Sequence, residues 1–229
     1  MRVERLRLLS GAKEAKGLAV IIDVFRAFTI DAYVLANGAQ RIIPVGSLEE
    51  AFKLKRINPH WILIGERGGR RVEGFDYGNS PYEIKDVDFA GKNVIQTTEA
   101  GTQGIVNARN ADEIVLGSFV VAGAIVKYIE ATEPETVTLV AMGSRGIEPS
   151  IEDELCAYYI EESILGRIPN FEEMKGLIRE APSGAKFFDP KQPQYKQEDF
   201  QMSLELDRFD FVMKVVKEDH WNIVKVPLT

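Results

Sequence analysis

Carboxylates and arginines recur where apolar runs of this sequence end. Asp23 closes the run LAVIID, Arg26 follows three residues later, and Glu66 with Arg67 follows the run WILIG. Carboxylates suit a hard divalent cation such as Mg²⁺, and arginine can hold two oxygens of a phosphate or sulfonate at once. Asp23 could equally cap a helix, and Arg26 could pair with Asp23 or Glu66. The pattern indicates chemistry on an anion, with capping and ion pairing as the alternatives.

A glycine-rich basic segment covers residues 65–81, GERGGRRVEGFDYGNSP. Glycine lets the backbone approach a ligand closely, so the amides of Gly68 and Gly69 could bind an anion. The segment ends in Asn79-Ser80-Pro81, which predicts a helix start with Ser80 at the N-cap. An irregular basic surface loop is the alternative, but long loops in compact domains are usually functional.

Hydroxyl groups follow two further apolar runs. Thr97 and Thr98 precede Gly101-Thr102, where a helix is predicted to open, and such junctions often bind phosphate oxygens. Arg145 follows another run. Capping alone would explain Thr102, and the spacing Ser150-Ile151-Glu152-Asp153 would make Asp153 part of a capping box.

The composition of the chain argues against several classes of protein and of metal site. The 229 residues include 28 Lys and Arg against 35 Asp and Glu, a net charge of −7, with one cysteine and two histidines. This argues against a nucleic-acid binder, a disulfide scaffold and a histidine- or cysteine-built metal centre. No apolar run reaches the ~20 residues of a spanning helix, and residues 1–17 do not resemble a leader. We therefore expect a cytoplasmic protein that works with carboxylates, arginines, hydroxyls and backbone amides.

Alternating apolar runs and helical patterns predict the elements that would position these residues. The predicted strands are Leu18–Asp23, Arg41–Val45, Trp61–Gly65, Asn93–Thr97, Glu113–Gly117 and Val137–Met142. The predicted helices are Phe28–Ala36, Leu48–Arg56, Thr102–Ala108, Val120–Ala131 and Ile151–Leu165. Ligands of open α/β sheets bind beyond the carboxyl ends of strands, where the candidate residues lie.

The regular alternation of predicted strands and helices ends after Gly166. Residues 168–193 predict one or two short helices at most, Glu198–Phe209 a further helix, and Phe211–Val216 with Trp221–Val226 a β-hairpin. The predicted fold is α/β, a three-layer α/β/α arrangement with a largely parallel or mixed sheet. Residues 1–166 would form the catalytic core, and residues 167–229 a helix-plus-hairpin elaboration packed on it.

Five motifs, in order over residues 18–166, resemble the 2-phosphosulfolactate phosphatase family. They are IIDVFRA (21–27), GERGG (65–69), GFDYGNSP (74–81), TTEAGT (97–102) and SIEDELCA (150–157). The resemblance implies a Mg²⁺-dependent phosphatase that converts 2-phospho-3-sulfolactate to 3-sulfolactate and phosphate, a coenzyme M biosynthesis reaction. The family usually has TTNGT where this chain has TTEAGT, and small residues where it has Phe28.

The resemblance also assigns site residues. Asp23, Glu66 and Asp153 become the expected Mg²⁺ ligands, and Asp23, Arg26 and Glu66 the expected catalytic residues. From their positions at strand ends and in the glycine-rich segment, the expected substrate contacts are Arg67, Gly68, Gly69, Asn79, Ser80, Thr97, Thr98, Gly101, Thr102 and Arg145. The nucleophile is a metal-bound water or Asp23. Glu99 and Phe28 favour the alternative of another small phosphorylated acid as substrate, and a non-catalytic anion-binding protein is the other alternative. The chain would act on a small anionic substrate, without nucleic acid or membrane, and could form a homo-oligomer.

Overall fold

The computed structural model describes residues 1–228, in which strands and helices alternate along most of the chain. The strands are β1 (Arg2–Arg7), β2 (Leu18–Ile22), β3 (Arg41–Pro44), β4 (Ile62–Arg67), β5 (Arg70–Arg71), β6 (Asn93–Thr97), β7 (Glu113–Gly117), β8 (Thr136–Ala141), β9 (Phe211–Lys217) and β10 (Trp221–Pro227). The helices are α1 (Leu8–Glu14), α2 (Ala27–Ala36), α3 (Leu48–Ile57), α4 (Pro81–Ile84), α5 (Gly101–Asn107), α6 (Ala122–Thr132), α7 (Ile151–Ile164), α8 (Phe171–Glu180), α9 (Pro182–Ala185) and α10 (Gln197–Ser203). Single 3-10 turns form at Phe119–Val121 and Lys186–Phe188.

The strands build one mixed sheet in the order β1-β8-β2-β7-β9-β10-β3-β6-β4-β5. Strands β1, β8, β2 and β7 are parallel to one another, and so are β3, β6 and β4. The hairpin of β9 and β10 joins the two groups, antiparallel to β7 on one side and to β3 on the other. The two parallel groups therefore run in opposite directions. The predicted α/β class and mixed sheet, flanked by helices, are confirmed.

The predicted hairpin lies in the middle of the sheet. Its strand β9 pairs with β7 through three residue pairs, while β10 pairs with β3 at Ile223 and Ile42. Phe211–Met213 at the start of β9 and Asn222 and Ile223 in β10 are buried, and the other positions of the two strands are mostly half-buried or exposed. The end of the chain thus completes the sheet between its two parallel groups.

All six predicted strands before residue 166 form, with ends displaced by at most two residues. Their near-continuous apolar sequences fit a sheet covered on both faces; β2, for instance, is buried along its whole length. Strand β1 was not predicted, because four of its six residues are charged and it pairs on one side only, at the edge of the sheet. Helix α8 is one of the short helices expected in residues 168–193.

The predicted helix Glu198–Phe209 is wrong at its C-terminal end. Helix α10 stops at Ser203, and Asp207 adopts the left-handed backbone conformation with φ 55°. The N–H groups of Asp207 and Phe209 donate to the carbonyls of Phe119 and Val120, at 3.0 and 2.9 Å. This distant pairing satisfies the backbone polar groups of 207–209 without helix, so local periodicity did not reveal it.

Apolar side chains pack in two groups around the sheet. The larger one includes β2, β7, β8 and the apolar faces of α2, α6 and α7. A smaller one lies under α3, where Ala51 and Leu54 pack on Ile43, Leu63 and Ile95 of the three strands β3, β4 and β6. Among residues 1–228, no helix combines the length and apolar character needed to cross a membrane.

The buried acid Asp31 leads to a prediction about the stability of the fold. Asp31 on α2 is 1% exposed, and its Oδ1 accepts a hydrogen bond from Gln96 Nε2. Within the described chain, Asp31 Oδ2 and Gln96 Oε1 are acceptors without a donor. Burial raises the pKa of Asp31 well above its usual range, and the charge of Asp23 adds to the effect. The ionised form of Asp31 is therefore costly in the folded state.

Asp31→Asn is expected to raise the free energy of unfolding at neutral pH by about 1–3 kcal/mol, because its amide adds a donor and removes a buried charge. Since the folded pKa lies above that of the unfolded chain, the Asp31 carboxylate destabilises increasingly as pH rises from about 4. The advantage of the variant should therefore grow with pH. Urea unfolding at about pH 4 and pH 7, with the exposed Asp112→Asn as control, tests this. An advantage that is absent at neutral pH contradicts it.

Candidate functional site

A cavity of about 890 Å³ opens where loops from both halves of the sheet meet. The loops after β2 and β8 contribute Asp23 and Gly143, and those at the ends of β4 and β6 contribute Glu66 and Thr98. In a flat sheet the carboxyl ends of the two oppositely directed groups would lie on opposite edges. In the folded chain the two groups of loops nevertheless meet, since the Arg26 guanidinium after β2 donates to the Gly69 carbonyl after β4 at 3.0 Å.

The structure brings nine of the predicted site residues to the cavity wall. They are Asp23, Arg26, Glu66, Gly68, Gly69, Asn79, Thr98, Arg145 and Asp153. Gly101 lies directly behind Asp23, where an added Cβ would be 3.0 Å from Asp23 Oδ2 and 2.8 Å from the Ala27 Cβ. Only glycine therefore fits between α5 and the Asp23 carboxylate.

Backbone amides fix two of the acids. Asp23 Oδ1 accepts from Ala27 N–H at 3.1 Å, in the first turn of α2. Asp153, in the first turn of α7, accepts from Val24 N–H and from Gly143 N–H, both at 2.8 Å. Asp153 thus joins the loop after β2 to the loop after β8, and its carboxylate lies beside Asp23. The predicted capping box does not form, because the Ser150 side chain makes no capping hydrogen bond.

Mutual repulsion and burial act on this acid cluster. Burial raises the pKa of Asp23 to about 7, with smaller contributions from the charges of Glu66 and Glu152. Burial also raises the pKa of Asp153 well above its usual range, and Glu152 and Asp23 add to it. Within residues 1–228, neither aspartate forms an ion pair. The cluster therefore has no directly paired cation within the described residues, and its carboxyl groups are hard to ionise together.

Glu152 is a member of this cluster that sequence reasoning did not select. Its side chain is 3% exposed, lines the cavity and accepts a hydrogen bond from the Ser183 hydroxyl. Burial raises its pKa. The available signal was its position beside Asp153 in a first helical turn, but only the fold shows that Glu152 faces the cavity and not solvent.

The donor set fits one hard cation. Each carboxylate oxygen has two acceptor positions, so Asp23 and Asp153 can accept their amide hydrogen bonds and still bind a metal. Across residues 1–228, no three His, Cys, Asp or Glu side chains converge tightly enough to form a metal site on their own. Mg²⁺ requires less, since one or two carboxylates, ligand oxygens and water commonly complete its shell.

Glu66 organises the glycine-rich loop. Its two oxygens accept from Gly69 N–H at 2.7 Å and from Glu99 N–H at 3.0 Å. Glu99 in turn accepts from Gly68 N–H at 3.2 Å. The amides predicted to bind an anion are therefore bound by the chain's own carboxylates. Gly69 has φ 74°, and an added Cβ would collide with the Tyr195 hydroxyl.

Arg26 is almost completely buried and ties the C-terminal region to the site. Its Nη1 lies 2.7 Å from Asp199 Oδ2, and its guanidinium also donates to the carbonyls of Gln194 and Gly69 at 3.1 and 3.0 Å. Asp199 on α10 also accepts from the Ser80 hydroxyl at 2.6 Å. Asp199 was not a predicted site residue, because it lies 173 residues from Arg26 in the chain.

The remaining predicted residues brace the loops behind the cavity. Arg67 Nη2 donates to Thr97 Oγ1 at 2.9 Å, which joins the ends of β4 and β6. Thr98 N–H donates to Thr102 Oγ1 at 3.1 Å, and Thr102 N–H donates to Thr98 Oγ1 at 3.2 Å, at the start of α5. Ser80 caps α4 as predicted, since its side chain accepts from Glu83 N–H.

Two positively charged side chains line the cavity in addition to Arg26, which is paired with Asp199. Arg145 has φ 57°, between Gly143 and Gly146, and its Nε lies 3.5 Å from Glu99 Oε2. Lys186 comes from the 3-10 turn after α9, and its Nζ lies 4.5 Å from the ring centre of Tyr195. The cavity thus combines an acid cluster with separate positive groups.

Comparison with known proteins identifies the family. The model of the family described as 2-phosphosulpholactate phosphatase matches residues 6–218. A Clostridium perfringens protein named probable 2-phosphosulfolactate phosphatase is 40% identical over 151 residues, which cover 64% of this chain and 60% of that protein. Relatives of the same name in Clostridium acetobutylicum and Bacillus subtilis are 35% and 33% identical. The Bacillus match covers 87% of both chains. This chain therefore belongs to the 2-phosphosulpholactate phosphatase family.

Proposed function

We propose that this protein hydrolyses a phosphomonoester in the cavity, with Mg²⁺ as cofactor and 2-phospho-3-sulfolactate as substrate. The products would be 3-sulfolactate and phosphate, as in coenzyme M biosynthesis. The observation that carries the proposal is the buried cluster of Asp23, Glu152 and Asp153, which forms no ion pair within the described residues, in a cavity that also presents positive side chains. Family membership supports the same reaction class.

The chain's own residues would divide the work. Asp23 and Asp153 would hold the metal, and their amide hydrogen bonds fix both carboxylates before substrate arrives. Bound Mg²⁺ supplies positive charge to phosphoryl oxygens, which an acid-lined cavity would otherwise repel. Glu66 would act indirectly, by holding the loops of Gly69 and Glu99 in place.

Hydrolysis requires a new bond from a nucleophilic oxygen to phosphorus and loss of the ester oxygen, which takes up a proton. Asp23 can serve in either of two ways. It can accept the proton of an attacking water, or it can attack phosphorus itself. The acid-quench experiment in the Discussion separates these two roles.

Removal of metal tests the cofactor. Wild-type protein treated with EDTA is expected to lose nearly all phosphate release from 2-phospho-3-sulfolactate, and added Mg²⁺ should restore it. Mg²⁺ should also raise the midpoint of thermal unfolding, because it binds the folded state and relieves repulsion between the acids. Full activity in EDTA, or no shift of the midpoint with Mg²⁺, contradicts the metal role.

One observation favours a different small phosphorylated acid as substrate. Glu99 binds the Gly68 amide and lies near Arg145, so two groups suited to a second anion already have a carboxylate partner. A panel of phosphorylated hydroxy acids with and without a sulfonate, assayed for kcat/KM, tests the assignment. If the enzyme prefers a substrate without a sulfonate, phosphomonoester hydrolysis stays the proposed reaction, but 2-phospho-3-sulfolactate is no longer the proposed substrate.

A further inference from the structure

Three positively charged side chains line the cavity within the described residues, and they differ in their partners. Arg26 is bound by Asp199, at 2.7 Å, and Arg145 lies 3.5 Å from Glu99. In the part of the chain that the structure describes, Lys186 makes no ion pair. Its ammonium therefore lies in the cavity wall near the acid cluster but without an acid in ion-pair contact.

Packing holds Lys186 in this place. The neighbouring Phe187 is 3% exposed, and the Lys186 ammonium lies 5.6 Å from the centre of that ring and 4.5 Å from the centre of the Tyr195 ring. Three residues earlier, the Ser183 hydroxyl donates to the Glu152 carboxylate. The segment that carries Lys186 is thereby attached to the acid cluster, and the aromatic rings limit where the ammonium can move.

Electrostatics indicates which end of a ligand Lys186 would meet. Burial lowers the pKa of Lys186, and the charges of Glu152, Asp23 and Asp153 oppose that effect. These are the carboxylates proposed to lie beside the phosphoryl group. Arg145 is instead associated with Glu99 and the glycine-rich loop. The two cations therefore serve different parts of the cavity.

We propose that the Lys186 ammonium binds a phosphoryl oxygen of the substrate, beside the acid cluster. This inference rests on the proposed function and extends it to a residue of the C-terminal region. An ammonium that makes no ion pair within residues 1–228 gains a charge-assisted hydrogen bond when the phosphoryl group binds. It also offsets repulsion between that group and the acids.

The test compares Lys186→Met and Lys186→Arg with Lys191→Met, a matched control at an exposed lysine outside the cavity wall. Binding of inorganic phosphate in the presence of Mg²⁺ is measured by titration calorimetry. Steady-state kcat/KM is measured with 2-phospho-3-sulfolactate and with 2-phospholactate, which lacks the sulfonate. Thermal unfolding of each variant reports whether the fold is retained.

Lys186→Met should weaken phosphate binding, and lower kcat/KM for both substrates, by about 10- to 100-fold. Lys186→Arg should recover part of this loss and Lys191→Met should change neither quantity. The proposal is overturned if Lys186→Met binds phosphate within about two-fold of wild type, or if only the sulfonate substrate is affected. If Lys186→Met does not fold, Lys186→Arg is the deciding variant. The proposal is then overturned if phosphate binding by Lys186→Arg cannot be distinguished from the background signal. A wild type that binds phosphate through Lys186 but hydrolyses no ester contradicts the proposed function alone.

Discussion

Asp23→Asn is expected to lower kcat for phosphate release by about 10³-fold or more, while the protein stays folded. The amide oxygen of asparagine can still accept the Ala27 hydrogen bond, so the local structure should persist. What the variant lacks is the negative charge beside Asp153 that would bind Mg²⁺ and the oxygen that would accept a proton or attack phosphorus. Because burial raises the pKa of Asp23, the neutral side chain should not lower the thermal unfolding midpoint.

The matched control is Asp210→Asn, which neutralises an exposed aspartate away from the cavity and should keep wild-type turnover. Acid quench of wild-type enzyme with substrate labelled at phosphorus distinguishes the two roles of Asp23. Label that remains on the protein and is released by hydroxylamine indicates attack by the carboxylate. Activity of Asp23→Asn above a tenth of wild type would remove Asp23 from the mechanism, and with it the present assignment of the acid cluster.

Asp199→Asn is expected to lower the free energy of unfolding by about 3–5 kcal/mol. The substitution keeps an oxygen that can accept from Ser80 but leaves the Arg26 guanidinium, 3% exposed, without its counterion. For a chain of this size that corresponds to a midpoint lowered by roughly 6–20 °C. Urea unfolding measures the free energy directly.

A double-mutant cycle with Arg26→Met supplies the control. Once the buried positive charge is also removed, much of the penalty should disappear. The double variant should therefore lose clearly less free energy of unfolding than the two single variants lose together. Strictly additive losses would show that the Arg26–Asp199 pair is not a coupled unit. Since Arg26 also donates to the Gly69 carbonyl, Asp199→Asn should lower kcat/KM as well.

The strands and helices before residue 166 were largely predictable, because each follows from a local pattern. Strand β2 is a continuous apolar run between Gly17 and Asp23, and α3 begins at a Ser47 cap that accepts from Glu50 N–H. Strand β1 escaped prediction because charged side chains can occupy an edge strand. The end of α10 was mispredicted because its backbone partners, Phe119 and Val120, are distant in sequence.

The candidate site was predictable as a set of residue types at strand ends, but the distribution of roles was not. The sequence makes Arg26 and Arg67 equally suitable as anion clamps. In the structure, Asp199 binds Arg26 and the end of β6 binds Arg67, so both hold loops together. Glu152 lies within the motif SIEDELCA and Lys186 within none, and only their positions on the cavity wall distinguish them from other charged residues.

By itself, the sequence determined the α/β class, the family resemblance and a chemistry restricted to carboxylates, basic groups, hydroxyls and amides, because these depend on composition and on short-range spacing. Only the tertiary structure decided that a hairpin from the end of the chain joins two oppositely directed groups of strands. It also decided which acids are buried together and which cation of the cavity makes no ion pair within residues 1–228. Such features depend on contacts between residues that belong to different elements of the chain, up to 181 positions apart for Ile42 and Ile223, and local sequence patterns do not encode those contacts.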